Sequence, residues 1–223
     1  LNLGFVPLTD SAPLIVAQRL GYFRQFNLDV TLCPQNSWST LRDKLQTGLL
    51  DAAQLLAPMP LASSLGLGSM QVQMSVPMVL SQNGNAISLS PGLCREILIN
   101  NALNVLPFPM PASLLKQTIA QRKKSGKAAL RFATVFPYSC HQYQLLDWLK
   151  QSDVHNDVDI ITIPPSEMSN SLESGLIDGF CVGGPWNAKS VREGTGVTVL
   201  TSYNIWQDAA EKVLGTSYTF AQQ

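Results

Sequence analysis

The stretch QTGLLDAAQLLAP (Gln46–Pro58) has a counterpart in ESGLIDGFCVGGP (Glu173–Pro185). In each, a helix-like segment reaches a glycine, Gly48 or Gly175. An aspartate follows three residues later, and a proline stops the apolar run seven residues after the aspartate. The offset is 178 − 51 = 127 residues. Glycine just past a helix takes a left-handed backbone at little cost. A short apolar run bounded by turn residues reads as a buried strand. The flanks agree: a strand-like Leu28–Leu32 and a helix opened at Ser37–Thr40 precede the first unit. A strand-like Asp159–Ile163, Pro164-Pro165 and a helix from about Ser166 lead into the second. A strand–helix–strand unit used twice, at a period too long for a solenoid, predicts two α/β lobes of like design. Asp51 and Asp178 then read as caps or turn closers rather than an acid–base pair.

Outward from these units the chain keeps the same character. Leu1–Val6 and Leu130–Phe136 read as strands. Helices are predicted from Pro13 to about Leu20, over Ala112–Lys124, and from Ser139 to about Lys150. Thr9, Asp10 and Ser11 before Pro13 form a helix-start signature. Ser81–Asn85 is a polar, turn-rich break and the candidate crossover between lobes. The expected division is residues 1–84 and 186–223 for the first lobe and 85–185 for the second.

Composition narrows the function classes. Fifteen Lys and Arg balance fifteen Asp and Glu, so the net charge is zero, and charged residues are only 13% of the 223. A nucleic-acid binder needs a basic face to displace counterions, and this chain has none to spare. Hydrophobic residues at 45% argue for a packed core. No run approaches the ~20 apolar residues that span a bilayer. The chain begins at Leu1 without an initiator Met and reads as a processed or trimmed product. Cys33, Cys94, Cys140 and Cys181 form no Cys-x-x-Cys pair, and with two His they argue against a zinc site. They are expected to be reduced.

Catalytic motifs are missing. Cys140 and His141 are adjacent, and neighbours in a helix do not face each other, so they make a poor nucleophile pair. There is no Gly-x-Ser-x-Gly elbow, phosphate loop or Gly-x-Gly-x-x-Gly. What recurs instead is helix starts rich in small polar residues, each reached from a strand: Asp10–Pro13, Ser37–Thr40, Ser139–Gln142 and Pro185–Asn187. In open α/β sheets such starts gather where ligands bind, and their free N–H groups suit an anion.

Several segments taken in order carry a resemblance: LGFVPLTDSAPLIVAQRLGYF (Leu3–Phe23), SWSTLRDKL (Ser37–Leu45), LLAPMP (Leu55–Pro60), NGNAIS (Asn83–Ser88), FPYSCHQYQLLDWL (Phe136–Leu149), IPPSEM (Ile163–Met168), DGFCVGGPWNA (Asp178–Ala188) and EKVLG (Glu211–Gly215). Together they resemble the nitrate-binding family: solute-binding proteins of bacterial nitrate ABC importers, bicarbonate-binding relatives, and a soluble sensor of nitrate and nitrite. The resemblance implies an α/β, two-lobed periplasmic-binding-protein-like fold (type II, venus flytrap) with the ligand in the cleft. It also implies that helices of the first lobe which follow EKVLG in the family are missing from this chain, which stops eight residues after Gly215.

Carried over residue by residue, the family's anion pocket implies Trp38 as a flat wall for a planar ion and Asn85 as a polar side chain where importers often have Gln. It implies a backbone donor near Ser139 with His141 close by, and Lys212 as the cationic partner. Lys212, together with Gly184 where importers often show Glu, implies nitrate or nitrite without a metal. No cofactor is implied, and the expected role is binding rather than catalysis. The partner is either an RNA-binding antiterminator, for a cytoplasmic sensor, or an ABC permease, for a secreted or lipid-anchored importer component. The spellings FPYSCH and LAPMPLASSLGLG look more like the sensor branch. Bicarbonate or another small anion is the alternative ligand. A flytrap-fold enzyme of the thiamin-pyrimidine synthase type is the alternative class, although that family's Cys-rich run and key His residues are not supplied here.

Overall fold

The computed structural model describes residues 1–223. The chain runs through β1 (Asn2–Phe5), α1 (Ala12–Arg19), α2 (Tyr22–Gln25), β2 (Thr31–Pro34), α3 (Trp38–Gln46), β3 (Ala52–Leu56), α4 (Met59–Ser64) and β4 (Met74–Gln82). It continues through β5 (Asn85–Leu89), α5 (Pro91–Asn100), α6 (Leu115–Lys124), β6 (Leu130–Thr134), α7 (Cys140–Lys150), β7 (Val158–Thr162), α8 (Met168–Glu173), β8 (Gly179–Gly183), α9 (Trp186–Arg192), β9 (Val197–Thr201) and α10 (Ser202–Ile205). It ends with β10 (Ala210–Ser217) and α11 (Tyr218–Ala221). No helix is long and apolar enough to cross a membrane.

Two separate five-stranded mixed sheets result, ordered β2-β1-β3-β10-β4 and β7-β6-β8-β5-β9. They share one plan. Three parallel strands come first, β2, β1 and β3 in one sheet and β7, β6 and β8 in the other. Two antiparallel strands then complete each, β10 and β4 or β5 and β9. Asp51 and Asp178 thus immediately precede strands of different sheets, β3 and β8, as the repeated unit requires. The chain divides into two compact units, one of residues 1–83, 138–140 and 208–223, the other of 84–137 and 141–207.

The local signals act as read. Gly48 and Gly175 sit just past α3 and α8 with φ of +75° and +73°, the left-handed conformation that ends a helix. Ser37 caps α3, its Oγ accepting from the Thr40 amide at 3.2 Å. Asp51 Oδ2 accepts from the Asn2 amide at 2.6 Å, while its own amide donates to the Asn2 carbonyl at 2.9 Å. Asp178 repeats this on Arg131, Oδ2 accepting at 2.8 Å and its amide donating at 2.7 Å. Each aspartate therefore closes onto the first residues of the neighbouring parallel strand, which is a structural duty and not acid–base work.

The segment from 186 to 207, expected with the first lobe, belongs to the second unit. The physical reason is β9, which pairs antiparallel with β5 from Ala86↔Thr201 to Leu89↔Val197. Asn187 of α9 ties the same region together: its Nδ2 donates to the Val182 carbonyl at 2.6 Å, and its Oδ1 accepts from Ser88 Oγ at 2.7 Å. The second unit's core forms around β5 and β6, with Ile87, Leu89 and Phe132 packed against Trp148 and Leu145 of α7. Phe132 and Trp148 meet edge to face, ring centroids 6.4 Å apart. The four cysteines are free thiols, and Cys181 is interior to β8.

Candidate functional site

In the first unit the polar interior is charged. Gln54, fully buried in β3, spans two groups: its Oε1 accepts from the Val6 amide at 3.2 Å, and its Nε2 donates to Asp10 Oδ1 at 2.7 Å. The other Asp10 oxygen, Oδ2, meets Lys212 Nζ at 2.8 Å. Glu211 Oε1 meets the same ammonium at 2.9 Å. Lys212 and Glu211 are both fully buried on β10. Burial works against the ammonium, but the Glu211 and Asp10 carboxylates outweigh it and hold Lys212 above the ordinary lysine value.

Trp38, the first residue of α3, completes this group. Lys212 Nζ lies 5.6 Å from its ring centroid, within cation–π range. The indole is 1% exposed, and its Nε1–H is buried with no hydrogen-bond partner. Buried polar groups are nearly always paired, so an orphaned indole donor is an exception that needs a reason. An ammonium has three N–H groups, and two of Lys212's are taken by carboxylates. The third, with the indole N–H, leaves two donors next to one flat aromatic face.

Cys140 sits at the start of α7, its Sγ donating to the Ala210 carbonyl at 3.3 Å. Burial, and then the Glu211 charge, push its thiol up to about 12, so it stays protonated and is not a nucleophile. Ser139, immediately before it, is fully buried.

In the second unit the polar interior is uncharged. Asn85 opens β5 opposite Gly183 and is 2% exposed. Its Nδ2 donates to Gln144 Oε1 of α7 at 3.0 Å. Gln144 is fully buried, as is His141 one turn earlier on the same helix.

Of the residues expected at a site, the structure brings Trp38 and Lys212 together in one unit. It couples Asn85 to Gln144 in the other and places Ser139 and His141 either side of the first residue of α7. Sequence reasoning missed three participants. Asp10 and Glu211 flank Lys212, and both lay inside quoted segments, where only the lysine's charge was weighed. Gln144 lay one helical turn past His141. Lys212 is a core residue of its unit, fully buried on β10. It is as buried as any side chain in the chain, because two carboxylates repay the cost of removing an ammonium from water. No group of three or more His, Cys, Asp and Glu is placed to hold a metal ion.

Two mixed sheets of this order, each with a parallel half and an antiparallel return, make a periplasmic-binding-protein-like α/β fold. The chain belongs to the NMT1-like family, whose model matches residues 1–223. It is 37% identical over 222 residues to the nitrate import ATP-binding protein NrtC of Synechocystis sp. PCC 6803, covering 96% of this chain and 31% of that protein. It is 36% identical over 227 residues to the bicarbonate transport ATP-binding protein CmpC of Synechococcus elongatus, covering 100% of this chain and 32% of the relative. The crystal structure of the periplasmic nitrate-binding protein NrtA from Synechocystis PCC 6803 superposes with a TM-score of 0.88 at 29% identity, covering 100% of this chain and 56% of that one. The chain thus spans about a third of the length of these two curated relatives and about half of the crystallised one.

Proposed function

We propose that this chain binds a small planar oxyanion, nitrate or nitrite, as a binding protein and not as an enzyme. The observation that carries the reading is the buried pair of Trp38 and Lys212, which leaves an indole N–H and one ammonium N–H beside an aromatic face. Nitrate carries one negative charge and offers acceptors only, so it suits an ammonium N–H and an indole N–H at the edge of the ring. The two carboxylates hold the ammonium in place and protonated, so no ordering of a long side chain is left to the moment of binding. The kinship to NrtA and NrtC supports nitrate, and the kinship to CmpC keeps bicarbonate as the alternative.

The names of the NrtC and CmpC relatives favour work beside an ABC importer. The FPYSCH segment favours a nitrate-responsive sensor that holds an RNA-binding antiterminator. The test of the binding reading is calorimetric titration with nitrate, nitrite, bicarbonate and sulfate. Saturable heat with nitrate or nitrite at concentrations where bicarbonate and sulfate give none supports it. Heat with bicarbonate alone, or with no anion, refutes it.

A further inference from the structure

We propose that the outer face of α5 and α6, within the second unit, docks on an anionic lipid surface. The zero net charge of the whole chain hides an uneven distribution. Residues 95–127 hold six of the fifteen Lys and Arg, namely Arg95, Lys116, Arg122, Lys123, Lys124 and Lys127, but only one of the fifteen Asp and Glu, Glu96. That stretch carries 6 − 1 = +5, and the rest of the chain carries 9 − 14 = −5. The same stretch holds three of the six most exposed large apolar side chains, Ile99 at 78%, Val105 at 76% and Phe108 at 62%.

The fold gathers these residues on one helix pair. α5 and α6 run antiparallel: Asn100 Nδ2 donates to Thr118 Oγ1 at 3.3 Å, and Arg122 Nη1 meets Glu96 Oε2 at 3.1 Å. Leu93, Cys94 and Ile97 of α5 pack into the core, as do Leu115 and Ile119 of α6. Arg95, Ile99, Lys116 and Lys124 are left facing water. The loop that carries Val105 and Phe108 starts from a fixed point, because Asn101 Nδ2 donates to the Ile97 and Leu114 carbonyls, each at 2.9 Å. Little of the charge is neutralised. Glu96 serves Arg122 and Lys127 together, and Asp157 serves Lys123. Arg95, Lys116 and Lys124 have no carboxylate paired to them.

Clustered like charges repel, and large apolar side chains gain nothing in water, so a partner that satisfies both is the one this face fits. An anionic bilayer does so. Its negative surface draws Lys and Arg, and its interface takes up apolar side chains. An extended acidic peptide would need a groove. The hollow between the helices, walled by Ile99, Asn100, Gln121 and Lys127, measures only about 190 Å3, short of the ~300 Å3 of a small ligand pocket. A nucleic acid would engage the cations through its phosphates but leave Ile99, Val105 and Phe108 in water.

Flotation of the full chain with vesicles at about 0.1 M salt tests this. One set of vesicles is equal parts phosphatidylglycerol and phosphatidylcholine, and the other is phosphatidylcholine alone. Binding is expected to the first and not to the second. The triple variant Arg95→Gln, Lys116→Gln, Lys124→Gln should lose about a hundredfold in vesicle affinity. The double variant Ile99→Ser, Val105→Ser should lose about tenfold. All five positions are exposed, so circular dichroism should show both variants folded. None of the five belongs to the anion site proposed above, so vesicle binding and nitrate binding stand or fall separately. No binding to the anionic vesicles, or equal binding to both kinds, overturns the proposal. Unchanged vesicle affinity in either variant overturns it as well. Tighter binding of polyuridylate or polyglutamate than of anionic vesicles overturns it in favour of a nucleic acid or an acidic protein.

Discussion

Lys212 and Asn85 hold the same place in two copies of one design. Lys212 pairs with Leu56 of β3 and Asn85 pairs with Gly183 of β8, and 183 − 56 is again 127. In one sheet the position carries an ammonium held by two carboxylates; in the other it carries a carboxamide held by a second carboxamide. The strand behind each position follows suit. Gln54 of β3 reaches Asp10, whereas its counterpart 127 residues on is Cys181. The scaffold is thus indifferent to charge. Backbone pairing and the Asp51 and Asp178 closures set the frame, and the side chain at one register position decides whether the local interior is ionic or neutral.

The sharpest way to break this comparison is to remove both side chains in turn. Lys212→Met strands Asp10 and Glu211 without their cation, and stranding a buried charge costs about 3–5 kcal/mol. Asn85→Leu strands only a neutral carboxamide, at about 1–3 kcal/mol. Urea denaturation of the two variants should show the lysine variant losing clearly more. Equal losses would mean that the charged cluster is no more demanding than the neutral couple.

Alkaline pH should separate the two positions without mutation. The folded value of Lys212 is raised, so its stabilisation is complete below the ordinary lysine value of 10.5 and is lost as pH rises through the folded value. Urea midpoints followed upward from about pH 9 should fall more steeply in wild type than in Lys212→Met. Parallel curves would remove the ion cluster from the account. Smaller still is the effect expected where the two units agree. Asp51→Ala and Asp178→Ala each delete one strand closure, for roughly 1 kcal/mol apiece, and the two losses should match within about 0.5 kcal/mol. A large inequality would show that the repeated unit is not doing the same job twice.

The repeated unit was plain in the sequence because its determinants are local: a glycine at positive φ, an aspartate, an apolar run and a proline, all within thirteen residues. The antiparallel half of each sheet was not. β10 lies between β3 and β4, and Lys212↔Leu56 joins residues far apart in the chain. Nothing near EKVLG says that it is a central strand. The same gap displaced the expected return to the first lobe, since β9 is recruited by β5 and not by its own flanks. At the candidate site the single residues were legible and their partnerships were not. Lys212 reads as a cation from its letter. That Asp10 neutralises it follows only from Gln54 holding Asp10 across strands.

The central claim is that the Trp38 and Lys212 pair offers donors to an anion. Trp38→Phe tests it most directly, because phenylalanine keeps an aromatic face near the ammonium while deleting the indole N–H together with part of the ring. Hydrogen bonds to charged groups contribute about 1.5–3 kcal/mol, so nitrate affinity measured by calorimetry should fall by about tenfold or more with the fold retained. Nitrate affinity in Trp38→Phe equal to that of the wild type would contradict the account.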